Sequence, residues 1–155
     1  MTAKVVLVVF HSRSGGTAAM TDAVVAGAND DAINGVDVLV KQAFDTTIDD
    51  VRACDAIILG TPENFGYMSG ALKDFFERVY YPLLEETPGL PYALFVKAST
   101  DGDGAVRSVE KIVTGLRWKL VMPPIVVVGD LHDGDLEQCQ ELGATVAAGL
   151  EAGLF

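Results

Sequence analysis

Cysteine is scarce in this chain of 155 residues: Cys54 and Cys139 stand alone and far apart. Without a Cys-x-x-Cys pair or a clustered set, the sequence offers no disulfide framework, dithiol redox motif or cysteine metal site. Both thiols are expected free and buried among apolar residues on helices. Basic residues are scarce too, 11 against 22 acidic ones, for a formal net charge of -11. That balance argues against nucleic acid and anionic membrane as partners and permits a basic protein partner. Long hydrophobic runs are missing. Val5–Phe10 is far too short to span a bilayer and lacks a signal-peptide layout, so the expectation is a cytoplasmic protein with no membrane span. Also absent are a G-x-G-x-x-G fingerprint, a G-x-x-x-x-G-K-[ST] P-loop, internal repeats, low-complexity tracts and linkers. No His–Asp or Cys–His arrangement suggests a side-chain catalyst, and no metal site is expected. The length makes one domain, residues 1–155, the expectation.

What the chain does have is alternation. Short apolar runs rich in Val, Ile and Leu occur at Val5–Phe10, Asp37–Val40, Ala56–Leu59, Tyr92–Val96 and Ile125–Val128. Runs of this kind read as strands of a parallel sheet buried on both faces. Between them the period changes to that of a helix. Thr17–Ala28 carries Met20, Val24 and Ala28 on one stripe. Thr47–Ala53 is entered through Thr46 and Thr47, with Asp49 and Asp50 in its first turn. Ser69–Tyr80 has Leu72, Phe75, Phe76, Val79 and Tyr80 on one face, and Pro82 is expected to end it by biasing Tyr81 out of the helical region. Gly104–Leu116 and Asp135–Leu150 complete the series. Five strands alternating with five helices predict an α/β fold, a three-layer doubly wound sheet of five parallel strands in the order 2-1-3-4-5.

In such a sheet, ligands sit beyond the carboxyl ends of the strands. Three of these ends carry unusual loops. The first, Ser12-Arg13-Ser14-Gly15-Gly16-Thr17, joins a buried strand to a helix. It offers hydroxyl donors, glycines that free backbone N–H groups, and the positive end of a helix dipole, which together suit a phosphate monoester. Without a loop Lys it fits a bound monoester better than phosphoryl transfer. Arg13 either adds one cation or points to solvent. The second loop runs Gly60-Thr61-Pro62-Glu63-Asn64-Phe65-Gly66-Tyr67-Met68-Ser69-Gly70. Its aromatics either flank a planar ligand or anchor the loop in the core. The third, Ala98-Ser99-Thr100-Asp101-Gly102-Asp103-Gly104, either wraps the far edge of that ligand or is a turn ending in a helix cap at Asp103.

A phosphate gripped at one end and a planar ring held by two further loops describe flavin mononucleotide (FMN). Ser12-x-Ser14-Gly15-x-Thr17 is similar to the flavodoxin phosphate signature. Gly60-Thr61-Pro62-Glu63-Asn64-Phe65-Gly66, followed by Met68-Ser69-Gly70-Ala71-Leu72-Lys73, resembles the flavodoxin-like NAD(P)H-dependent FMN reductase and quinone oxidoreductase group. The resemblance covers essentially the whole chain. It assigns phosphate contacts to Ser12, Arg13, Ser14, Gly15, Gly16 and Thr17, and ribityl and ring contacts to Pro62, Glu63, Asn64, Phe65, Gly66 and Tyr67. It puts Ser99, Thr100, Asp101, Gly102, Asp103 and Gly104 along the pyrimidine side. Two departures stand out. The long insertion of some oligomeric quinone reductases is missing, which leaves monomer or homodimer. The third loop reads Asp-Gly-Asp-Gly where a neutral or aromatic sequence is usual.

If FMN binds, the flavin carries the electron chemistry and the protein tunes it. The peptide links of Asn64–Gly66 are placed to reorient with redox state, and Glu63, Asp101 and Asp103 would repel a reduced flavin anion. The expected function is an FMN-binding oxidoreductase that moves electrons from NAD(P)H to a quinone, flavin or similar acceptor. The alternative is a non-enzymatic flavodoxin-type carrier that docks a redox protein. A receiver domain shares the strand order but needs an acidic pair after the first strand, where this chain has His11-Ser12-Arg13. His11 is expected to be structural or solvent-facing, and Trp118 to pack.

Overall fold

A computed structural model describes residues 2–155. The elements in chain order are β1 (Lys4–Phe10), α1 (Gly16–Ala28), β2 (Val36–Gln42), α2 (Ile48–Ala53), β3 (Ala56–Pro62), α3 (Gly70–Leu83), β4 (Pro91–Ala98), α4 (Asp103–Leu116), β5 (Lys119–Leu120), β6 (Ile125–Val128) and α5 (Asp133–Glu151). A single 3-10 turn, Ala43–Asp45, links β2 to α2. All the strand pairs are parallel, in the order β2-β1-β3-β4 with β5 and β6 both on the far side of β4. The doubly wound order 2-1-3-4-5 is therefore present, with its fifth position shared by two short strands.

Period-2 alternation builds two cores, one on each face of the sheet. Leu7, Val9, Ile57, Leu59, Leu94 and Val96 pack under α2, α3 and α4. Val6, Val8, Ala56, Ile58, Ala93 and Phe95 pack under α1 and α5. All of these are fully buried, and each buried Val, Leu, Ile or Phe stabilises the fold by about 1.5–3 kcal/mol. The helices bury the stripes expected of them: Met20, Val24 and Ala28 on α1; Leu72, Phe75, Phe76 and Val79 on α3; Cys139, Leu142, Val146 and Leu150 on α5.

Four expectations need correction. Asp37–Val40 and Ile125–Val128 are not buried on both faces: Leu39, Val40, Val126 and Val128 are exposed, because β2 and β6 lie at the sheet edges. The last strand is broken. Lys119–Leu120 pair with Pro91–Tyr92, and Ile125–Val128 pair with Phe95–Ala98. Pro123 and Pro124, which have no N–H to give to a ladder, lie in the gap. Pro82 does not end its helix but lies inside α3, whose last residue is the fully buried Leu83. A proline in a last turn removes one helical hydrogen bond, and burial of Leu83 outweighs that loss. Finally, Cys54 stands just past α2 rather than on it, while Cys139 lies within α5; both are buried and free, as expected.

Trp118 packs against Phe76 and Tyr92, with its Nε1–H donating to Thr87 Oγ1 at 2.9 Å. No helix among the described residues is long and apolar enough to cross a membrane.

Candidate functional site

The carboxyl ends of β1, β3 and β4, adjacent in the sheet, bring the three loops together. The first is shaped by Ser12, whose Oγ accepts from Gly15 N–H at 3.2 Å and Ala18 N–H at 3.1 Å. Gly15 turns the chain at φ 96°, a left-handed value that suits glycine. The N–H groups of Ser14, Gly16 and Thr17 have no acceptor among the described residues. These three donors at the start of α1 remain free for a ligand oxygen.

The second loop starts as an extension of the sheet, with Glu63 N–H donating to Lys97 O at 2.9 Å. It then closes into a tight hairpin in which Asn64 N–H donates to Tyr67 O at 2.8 Å and Tyr67 N–H to Asn64 O at 3.0 Å. The two tip residues are Phe65 at φ 54° and Gly66 at φ 67°. A two-residue hairpin of mirror type requires positive φ at both positions; glycine takes it freely, and phenylalanine is an outlier. Phe65 is 100% exposed and Tyr67 41% exposed, so neither anchors the loop in the core. Anchoring comes from further along the chain: Met68 N–H donates to Ser108 Oγ and Ser69 N–H to Thr61 Oγ1. Ser69 Oγ in turn caps α3 by accepting from Leu72 N–H.

The third loop is fastened to the second. Thr100 Oγ1 donates to Glu63 Oε1 at 2.6 Å. A Cβ at Gly104 would lie 1.8 Å from Gly66 O, so the hairpin tip rests directly on the backbone of α4. The cap of α4 is Gly102 at φ 77° and not Asp103, which is the first helical residue. The Asp103 N–H donates to Asp101 Oδ1 at 3.0 Å.

A cavity of about 190 Å³ opens where these pieces meet, lined by Arg13, Ser14, Thr17, Pro62, Glu63, Asn64, Lys97, Ala98 and Ser99. All three loops contribute to it. Ser12, Gly15 and Gly16 do not line it; Ser12 braces the loop from within. Phe65, Gly66 and Tyr67 of the hairpin do not line it, nor do Thr100, Asp101, Gly102, Asp103 and Gly104, which lead into α4. Glu63 Oε2 and His11 Nδ1 are buried without a partner, and the His11 ring meets Phe44 edge to face at 6.3 Å. A larger groove of about 280 Å³ between α3 and α4 is lined by Lys73, Phe76, Glu77, Tyr80, Tyr81 and Ile112. It is built from helix sides, away from the strand ends, and has no set of converging donors.

Lys97 escapes the loop-by-loop reading, because it is the penultimate residue of β4 and not part of a loop. The signal is nevertheless in the sequence: a lone charge at the carboxyl end of a strand that is otherwise apolar. Alternation puts Lys97 on the same face as Ala93 and Phe95, toward α1.

Residues 34–133 match the family of NADPH-dependent FMN reductases. The chain is 32% identical over 158 aligned positions to a flavodoxin of Aquifex aeolicus, covering 92% of this chain and 84% of that protein. An NAD(P)H dehydrogenase (quinone) of Syntrophobacter fumaroxidans is 27% identical over 96 positions, 46% of each chain. Among solved structures, a flavodoxin from the domain Archaea superposes with TM-score 0.78 at 24% identity, covering 96% of this chain and 99% of that one, a likeness of fold.

Proposed function

The chain belongs to the NADPH-dependent FMN reductase family, and from that membership we propose that it is an oxidoreductase that holds FMN at the carboxyl ends of β1, β3 and β4. The observation that carries this reading is the convergence of the three loops on one cavity, with the Ser14, Gly16 and Thr17 N–H groups unpaired beside it. The residues fit the group. A phosphate finds backbone donors, the Ser14 and Thr17 hydroxyls and two cations. A ribityl chain finds Pro62, Glu63, Asn64 and Ser99, including a Glu63 oxygen that lacks a partner. The residues that would hold the ring are those of the hairpin, Phe65, Gly66 and Tyr67, together with Thr100, Asp101, Gly102, Asp103 and Gly104.

When bound, FMN supplies the hydride and single-electron chemistry. The chain binds, orients and tunes. The start of α1 holds the phosphate with Ser12 as the internal strut of its loop. The hairpin presents Phe65 and the Asn64–Gly66 peptides to the ring. Glu63, Asp101 and Asp103 put negative charge nearby and oppose accumulation of more. We read the reaction as electron transfer from NAD(P)H to a quinone, flavin or similar small acceptor, in a single-domain cytoplasmic protein that is a monomer or homodimer.

A carrier role is the second reading. It is favoured by the flavodoxin relative that covers 92% of the chain and by a fully exposed Phe65 at the rim. One experiment tests both. FMN-loaded protein is mixed with NADH or NADPH and a quinone, and the same sample is titrated anaerobically with a reductant. Turnover with a single two-electron step supports the enzyme. Two separated one-electron steps without turnover support the carrier. A protein that takes up no FMN refutes both.

A further inference from the structure

We propose that Lys97 is the charge partner of the cofactor phosphate, delivered to it across the first turn of α1; this rests on the FMN reading above. A phosphate monoester carries close to two negative charges at neutral pH, and the chain that must accept it already has a net charge of -11. Of its cations, Lys41, Arg52, Lys73, Arg78 and Arg117 are committed to carboxylates, and Lys4 donates to Leu150 O. Only Arg13 and Lys97 line the cavity, and among the described residues neither has an ion-pair partner.

The two are not equivalent. Arg13 is exposed on the loop, whereas Lys97 is half-buried at the end of β4. Its aliphatic stem lies against the first residue of α1: a Cβ built on Gly16 would stand 3.0 Å from Lys97 Cγ and 3.3 Å from Cε. A missing side chain at Gly16 thus makes the path along which the lysine reaches a cavity bounded by Ser14 and Thr17. The Lys97 ammonium has no hydrogen-bond or ion-pair partner among the described residues, and a phosphate would supply a charge-assisted one. Glu63 lines the same cavity, with its Oε1 accepting from Thr100, but it is not within ion-pair distance of Lys97.

The test compares FMN with riboflavin, which lacks the phosphate. Both affinities are measured by flavin fluorescence for the unmodified protein and for Lys97→Met, Lys97→Gln and Lys97→Arg, with circular dichroism and urea midpoints to verify folding. Expected are a rise in the FMN dissociation constant of about tenfold or more in Lys97→Met and Lys97→Gln, riboflavin binding within about twofold of the parent, and near-parental FMN binding in Lys97→Arg. The salt dependence of FMN binding should also flatten in the neutral variants. Unchanged FMN affinity in the neutral variants overturns the proposal, as does an equal loss for FMN and riboflavin, which would mean that Lys97 shapes the cavity without meeting the phosphate. Unmodified protein that binds neither flavin overturns the FMN reading itself.

Discussion

Phe65 is the residue whose replacement should separate stability from cofactor binding. It holds φ 54° at the tip of a two-residue hairpin with its side chain 100% exposed, so it has the backbone strain of a left-handed residue without the packing that would repay it. That conformation costs an L-residue roughly 1–2 kcal/mol. Asparagine tolerates it, and Asn-Gly is a favoured sequence for such a turn. Phe65→Asn would create Asn-Gly at positions 65 and 66 and leave the core untouched. FMN-free protein should therefore gain about 1 kcal/mol, read as a higher urea midpoint and a melting temperature raised by about 2–4 °C. FMN binding should move the other way. Removing an aromatic ring from a stacked pair forfeits about 0.5–1.5 kcal/mol beyond its area, a dissociation constant raised roughly two- to thirteenfold in a fluorescence titration. A cofactor-free variant that is no more stable than the parent refutes the strain argument, and unchanged FMN affinity refutes the ring's role in holding the flavin.

Gly104→Ala puts a methyl carbon against Gly66 O, with backbone on both sides. It should cost about 1–3 kcal/mol and weaken FMN binding as the two loops part; urea denaturation and flavin titration check both. Burial pushes the Cys54 thiol from 9.0 up to about 12 and Cys139 up to about 11. Alkylating reagent near pH 8 should thus label neither thiol in folded protein and both after denaturation. Since the fold keeps these protons and the unfolded chain releases them, stability should fall as pH rises from about 9 toward 12. At Asp50, burial by itself would raise the carboxyl, but Thr47 N–H, Lys41 and the Thr47 hydroxyl together hold it below its usual range. Asp50→Asn should cost about 1 kcal/mol at neutral pH. Because the depressed carboxyl contributes only above its unfolded value of 3.8, the gap between parent and variant should close as pH falls below that value in a pH series of urea melts.

The central strands were legible because Val5–Phe10, Ala56–Leu59 and Tyr92–Val96 are apolar on both faces, and strands β1, β3 and β4 are covered on both. The same composition misled at the edges: Leu39 and Val128 look like core residues until the strand order leaves them without a neighbour sheet or helix. Pro82 misled because a local bias competes with tertiary burial, and Leu83 lies on the winning side. For the candidate site, chain order points to the three loops. It is silent on the registry between them: the Thr100–Glu63 bond and the close approach of Gly104 to Gly66 link positions 37 and 38 residues apart. Lys97 belongs to the same class, since its neighbour Gly16 is remote in sequence and the two meet only once β4 lies beside α1.

The gap between β5 and β6 has a consequence outside the cofactor site. An open sheet is exposed to templated addition of foreign strands along its outer edges, the usual route to fibrous polymers. On one side of this sheet, Pro123 and Pro124 interrupt the edge where a continuous row of unpaired donors would otherwise stand. On the other side, β2 carries Asp37 and Lys41 within its seven residues. Neither border offers an uninterrupted, uncharged edge for sheet growth.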